Sequence, residues 1–484
     1  MNRIFKYIKF SGLAVILLLL TSCEEFLKEE VYTQYDPATF LQTEQGINSV
    51  LVAAYSNMHV TANMRDRMYT LNEFPADQMW DWGGGYEAIA VLFMNFTWDA
   101  QNTMFSTPWR DYYQSIRNAN SLLDNIDQVT GLSADKVKQF KAEARFIRCA
   151  DYYYLWELFG TVPLITTASE LNFEPSRATV EEFDLFITTE LLAAANDLPV
   201  TQALWGKATK GAALALLSKY YMNSKQWQKA ADMSKQVMDL NKYNLFAGDL
   251  KNMFAVVNEV NNEVVFTSPA LPTLHGNTFM PHAFPPNYPI QSNWLNYGTQ
   301  FCMYNDYVKT YDLNDKRLGW FIFSYTETNG KVHDLWNSKD AGKAVRCFKY
   351  VPDPNAVSAN HGNDVPMIRY AEVLLNRAEA LNEISGPTQE AVNLLNLIRA
   401  RAGVPLYSLG DFSTKDALRN ALLDERGWEF VAEGMRRMDL IRHGKLISKA
   451  IARGATSAKD YMTLFPIPLD EIKANPKLEQ NQGY

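Results

Sequence analysis

The sequence predicts a mainly α-helical protein: stacked, tetratricopeptide-like helical hairpins carrying a loop-rich, partly irregular capping subdomain. Three observations predict it. From Thr43 onward, apolar residues recur at three- and four-residue steps, the spacing that lines one face of a helix. The helices come in pairs with a period of roughly thirty-odd residues, near that of tetratricopeptide units. Two stretches, 61–108 and 247–362, lose that period and concentrate aromatic, Asn, Pro and Gly residues instead.

The chain of 484 residues has a hydrophobic content of 47%, enough for a substantial core, and a formal charge of −8. That charge argues against a nucleic-acid partner, whose binding draws its affinity from neutralised phosphates. Residues 1–22 read as a signal peptide: Arg3, Lys6 and Lys9 precede the apolar run Leu13 to Leu20, too short to span a bilayer. Leu20-Thr21-Ser22-Cys23 resembles the bacterial lipobox, which implies lipidation at Cys23. The chain beyond residue 22 keeps 43 basic and 54 acidic residues, a formal charge of −11. Cys149, Cys302 and Cys347 are odd in number and far apart, so no disulfide framework is indicated.

In order, Glu24 to Tyr35 reads as an extended tether, and Thr43 to His59 as the first helix. The aperiodic stretch 61–108 holds Trp80-Asp81-Trp82-Gly83-Gly84-Gly85-Tyr86 and Trp98. Long loops in compact proteins usually serve function. Helical spacing returns at Trp109 and again from Ser133 to Gly160. Val180 to Leu198 is a helix stopped at Pro199, and Ala208 to Met222 with Trp227 to Leu240 make a hairpin. Within 247–362, Asn262 to Thr267, Arg317 to Tyr325 and Val345 to Val351 look extended, and Pro352 to Pro366 reads as loop. After Pro366, Ile368, Ala371, Leu375, Ala378 and Leu381 mark a helix ended by Ser385-Gly386-Pro387. Its partner ends at Gly403, which tolerates the left-handed turn past a helix end. A longer helix is expected over Thr414 to His443. The domain organisation is therefore signal peptide 1–22, helical region 23–246 with the aromatic loop 61–108, irregular insertion 247–362, and helical region 363–484.

Five pieces in order carry a family resemblance. They are Ser22-Cys23-Glu24-Glu25-Phe26-Leu27; Glu143 to Ala150 with Phe159-Gly160-Thr161-Val162-Pro163-Leu164; Ile368 to Asn376 with Arg399-Ala400-Arg401-Ala402-Gly403-Val404; Glu425-Arg426 through Glu433-Gly434 to Arg442; and Phe465-Pro466-Ile467-Pro468 with Gln480 to Tyr484. Together they resemble the SusD/RagB family of outer-membrane nutrient-binding lipoproteins. The resemblance implies a surface-exposed protein, lipid-anchored at Cys23 in the cell outer membrane, with four tetratricopeptide-like units. It implies glycan capture for a SusC-like, TonB-dependent transporter, without catalysis and without a cofactor. Within the same resemblance, a peptide-capturing, RagB-like receptor is the alternative. A helical scaffold that binds only protein and a secreted glycoside hydrolase are the rivals outside it.

The expected ligand residues are Asp77, Trp80, Asp81, Trp82, Tyr86 and Trp98 from the first aperiodic stretch, with Trp294, Asn296, Tyr297 and Trp320 from the second. A pyranose presents faces of polarised C–H groups that match a flat aromatic face, and neighbouring Asn and Asp side chains satisfy its hydroxyls. Each ring has a second reading, as an anchor that pins its loop to the frame. Glu425, Glu429 and Glu433 stand at four-residue spacing, but the arginines around them favour ion pairing over a glycosidase's opposed carboxylates. The six histidines show no metal-ligand spacing. Gly83-Gly84-Gly85 lacks the Lys-Ser/Thr of a phosphate cradle and reads as freedom for the aromatic loop.

Overall fold

Short polar side chains just ahead of apolar runs start most of the long helices. The computed structural model describes residues 40–63, 65–169, 172–337 and 344–484; the signal segment, Cys23 and the tether expected at Glu24–Tyr35 lie outside the described residues. Helices α1 (Glu44–Asn63) and α2 (Arg65–Asn72) lead to the two-residue strand β1 (Met79–Trp80) and to α3 (Glu87–Asn95). The Asn102 side chain accepts from the Met104 amide to start α4 (Thr103–Asn125), and Ser133 does the same for α5 (Ala134–Phe159). Thr179 and Glu182 form a reciprocal capping box at α6 (Val180–Asp197). Thr209 caps α7 (Lys210–Asn223), and α8 (Trp227–Asp239) completes the first half. Each such cap contributes about 1 kcal/mol. Each of these helices packs on the next: α1 on α4, then α4, α5, α6, α7 and α8 in chain order.

The irregular region begins with β2 (Val264–Ser268) and runs through α9 (Phe279–Ala283), β3 (Cys302–Met303), α10 (Asn305–Val308), β4 (Phe321–Ile322), β5 (Ser324–Thr326), β6 (Val332–Asp334) and β7 (Arg346–Cys347). It returns through β8 (Val365–Arg369), which pairs antiparallel with β2, Ser268 opposite Val365. The excursion thus leaves and rejoins the frame at one place. Its own antiparallel sheet has the order β1-β3-β7-β4, with Trp80 opposite Cys302 and Cys302 opposite Arg346. The first aromatic stretch is therefore sewn into the second by backbone hydrogen bonds. The C-terminal helices α11 (Tyr370–Ser385), α12 (Gln389–Ala402), α13 (Lys415–Glu429), α14 (Arg436–Arg442), α15 (Leu446–Ala452) and α16 (Leu469–Ala474) follow, with α8 packed on α11.

Four local expectations differ from the structure. The stretch 61–108 contains α2, α3 and the start of α4; α3 reads EAIAVLFMN, too uniformly apolar to show one face. Ile368 lies in β8, and the helix begins at Tyr370, because Arg369 is still extended. The extended stretch from Arg317 opens with a 3-10 turn, Lys316–Trp320, capped by Asp315. The helix expected over Thr414 to His443 is two helices, broken where Ala432 and Gly434 adopt φ of 58° and 73°.

Glu425, Glu429 and Glu433 lie in the interior, ion-paired as the sequence suggests but with arginines from farther away. Arg317 meets Glu425 at 2.7 Å and Glu429 at 3.3 Å; Arg399 meets Glu425 at 2.8 Å; Arg401 meets Glu429 at 2.5 Å. Arg369 bridges Glu429 at 3.0 Å and Glu433 at 2.8 Å, and Lys349 reaches Glu433 at 2.5 Å. Arg369 and Arg401 also share Glu263. Burial pushes the Glu429 carboxyl up, but Arg401, Arg369 and Arg317 together hold it well below the usual carboxylate range. The lattice ties the insertion, through Arg317 and Lys349, to the helical frame.

Candidate functional site

Strand β1 delivers the first aromatic loop to the edge of the four-stranded sheet. Trp80 is half-buried; its indole N–H donates to the Met303 carbonyl at 3.1 Å and its ring lies 6.1 Å from Tyr304. Asp81 is buried, with Oδ1 accepting from the Gly83 amide at 3.0 Å and Oδ2 without a hydrogen bond among the described residues. Burial, reinforced by the charge of Glu87, pushes this carboxyl up to about 7 against the Gly83 amide and Arg346. The Trp82 amide donates to the Thr299 carbonyl at 3.3 Å, and the residue is 39% exposed.

Gly84 makes this approach possible. It sits at φ +80°, and a Cβ there would lie 2.7 Å from Thr299 Oγ1 and 3.3 Å from Gln300 Nε2. The opposing segment is fixed in turn: the amide of Tyr297, a residue 42% exposed, donates to the Pro281 carbonyl at 2.9 Å, and its ring lies 4.7 Å from that of His282. Tyr86, half-buried, is 5.7 Å from the same imidazole, and its hydroxyl is 2.7 Å from Thr70 Oγ1. His282 stacks on Phe301 at 4.6 Å and bonds Gln300 through Nδ1. Trp82 and Tyr297 thus stand on adjoining loops, with Tyr86, His282 and Phe301 packed against one another beneath the Tyr297 loop.

The remaining expected ligand residues divide. Trp294 is half-buried, bonded to the Asp353 carbonyl at 2.9 Å and stacked on Phe284 at 5.6 Å. Asn296 donates to the Pro285 carbonyl at 2.9 Å, leaving Oδ1 without a partner among the described residues. Asp77 is committed elsewhere: Arg436 takes it at 2.7 and 3.0 Å and Lys449 at 3.3 Å. Burial pushes that carboxyl up, but Arg436 and then Lys449 hold it below its ordinary value. Trp98 and Trp320 present no face to solvent. Trp98 stacks on Phe93 at 5.5 Å and donates to the hydroxyl of Tyr484 at 2.9 Å, so the chain end pins it. Trp320 donates to the Leu250 carbonyl at 2.7 Å with the Lys349 ammonium 4.1 Å from its ring. These two rings are anchors, because both residues are buried, Trp98 at 5% and Trp320 at 0% exposure.

Sequence reasoning passed over His282, Thr299 and Gln300. The signal for His282 was its place in the Phe279–Phe284 run, where a histidine among aromatic rings implies a partnered side chain. Nothing in the sequence marks Thr299, whose Oγ1 also lacks a partner among the described residues. The arrangement offers two exposed aromatic residues, with the buried oxygens of Asp81, Asn296 and Thr299 on the same loops.

Two family models match the chain: one described as the SusD family over residues 262–484, the other as starch-binding, associating with the outer membrane, over residues 25–222. SusD-like protein P25 of Formosa agariphila is 25% identical, covering 98% of this chain and 100% of that protein. The starch-binding protein SusD of Bacteroides thetaiotaomicron is 24% identical over 86% of this chain and 85% of that one. A SusD superfamily protein from Parabacteroides distasonis superposes with a TM-score of 0.76 at 25% identity, covering 91% of this chain and 99% of that one. The fold, the ordered motifs and both halves of the chain agree: the protein belongs to the SusD family, a non-catalytic one.

Proposed function

We propose that the protein captures oligosaccharide on the face carrying Trp82 and Tyr297 and delivers it to a SusC-like, TonB-dependent transporter in the outer membrane. The observation that carries this reading is that two exposed aromatic residues, from segments more than two hundred residues apart, are held on adjoining loops by the β1–β3 register and the close approach of Gly84 to Thr299. Half-buried Trp80, Tyr86, Trp294 and Asn296 border the face, and Asp81 stiffens the loop from behind. The polar atoms of Asn296 and Thr299 suit sugar hydroxyls once the loops adjust to a ligand. Starch binding by a relative supports a glycan as the cargo.

In this reading Cys23 carries the lipid anchor, and the protein hinges at that side as a lid over the barrel. No described helix is long and apolar enough to cross a membrane. Affinity electrophoresis of the protein through a panel of neutral and acidic polysaccharides tests capture: at least one glycan should retard it, and Trp82→Ala with Tyr297→Ala should abolish the retardation. Retardation that survives both substitutions places the site elsewhere. Co-purification of the tagged protein with an outer-membrane barrel protein tests delivery.

A further inference from the structure

Away from the aromatic face, the connection between α6 and α7 stands opposite β2 across a groove of ≈ 320 Å³. Leu204, Trp205, Lys207, Lys242 and Val260 line it together with Val264–Thr267 of β2. Leu204 is 65% exposed and Val260 74%, and Val257, just before it in the chain, is 90% exposed. Scattered apolar residues on a surface mean little, but apolar residues gathered at one concave place mark an interaction site. Trp205 holds its position because its indole N–H donates to Asp364 at 2.7 Å.

Charge narrows what the groove accepts. Its neighbouring carboxylates turn inward: Asp364 accepts from Trp205 and from the Ala270 amide at 2.9 Å, and Glu259 accepts from the Asp364 amide at 2.7 Å. The two ammonium groups differ: that of Lys207 turns inward to a buried carboxylate, and that of Lys242 faces solvent. Lys207 meets Glu143 at 3.2 Å, and Lys242 is exposed with no ion-pair partner among the described residues. In a chain of formal charge −8, Lys242 thus gives this wall an unpaired positive charge. Strand β2 pairs only with β8 among the described residues, and its register shifts around Val265. The four lining residues of β2 extend over roughly 10 Å, a length that suits an extended chain.

We propose that this groove is a second binding site, which receives an extended, acidic segment of a partner polypeptide. Apolar side chains of the segment seat against Trp205 and Val260, and a carboxylate meets Lys242. An unpaired strand edge bordered by side-chain pockets is a recurrent way of recognising extended peptides. A bilayer has no projecting feature to fill such a cleft. The proposal stands independently of glycan capture.

The test titrates the full chain with a short fluorescent peptide alternating Glu and Leu, with its Lys-for-Glu counterpart, and with anionic phosphatidylglycerol vesicles. The acidic peptide should bind and weaken with added salt. Lys242→Glu and Val260→Asp should each lower its affinity by about tenfold, and the basic peptide should not bind. Both side chains are exposed, so both variants should keep the parental melting temperature and glycan binding, and Trp82→Ala should keep peptide binding. Absence of peptide binding, equal binding of the two peptides, parental affinity in both groove variants, or retention on vesicles alone would each overturn the proposal.

Discussion

Substituting Gly84 separates a loop that is positioned from one that is merely present. Gly84→Ala places a methyl group 2.7 Å from Thr299 Oγ1 at φ +80°. The left-handed backbone costs an L-residue roughly 1–2 kcal/mol, and the contact adds about 1–3 kcal/mol of overpacking. The loop relieves both by lifting from Thr299, which moves Trp82 away from Tyr297. Since about 1.4 kcal/mol is a factor of ten, the affinity for whichever glycan the parent retains should fall by about thirtyfold or more. Thr299→Ala in the same chain removes the contact but not the backbone cost, so the double variant should recover to within about tenfold of Thr299→Ala alone. Gly85→Ala is the control, because a Cβ there meets nothing within 4 Å. Isothermal titration of all four variants reads the series. Parental affinity in Gly84→Ala, or equal losses in Gly84→Ala and Gly85→Ala, would refute the loop-positioning argument.

The same geometry yields three other expectations. Trp98→Ala should lower stability by about 3–5 kcal/mol in urea melts, whereas Trp82→Ala should change stability little and lower glycan affinity instead. Glu429→Ala leaves Arg401, Arg369 and Arg317 short of a buried partner and should lower stability by about 3–5 kcal/mol; an unchanged denaturation midpoint would mean the lattice is not coupled to folding. Asp81 has its folded pKa raised to about 7, so its contribution to stability is present in acid and is lost as pH rises through neutrality. Asp81→Asn should therefore gain thermal stability over the parent above pH of about 7 and lose that advantage in acid; a difference in melting temperature that does not vary with pH would contradict it.

Helices whose start signals are local were legible in the sequence. Ser133, Thr179 and Thr209 act through side chains a few residues from their amides, so apolar period and cap agree at α5, α6 and α7. The misses have physical reasons. Helix α3 is apolar on every side, and β8 exists because β2 lies beside it, nearly one hundred residues earlier in sequence. The partners of Glu425 and Glu429 include Arg317 and Arg399, which no spacing rule connects to them. At the candidate site the residue types were readable, but their division was not. Trp98 and Trp82 look alike in sequence; Tyr484, at the far end of the chain, is what takes Trp98 inward.

The excursion between Ser268 and Val365 begins and ends on neighbouring residues of one strand pair. For a flexible loop the closure entropy grows only with the logarithm of its length, about 0.6 kcal/mol for each doubling. A lineage can therefore lengthen, trim or rewrite this segment at small thermodynamic penalty, while the helical frame stays as it is. The tethers on such drift are the short strand β1, which obliges any replacement to supply a partner for Trp80, and the buried ion pairs of Arg317 and Lys349 with the helical frame. Diversification of diet would then be written in the excursion and in that one register, and the rest of the chain would change slowly.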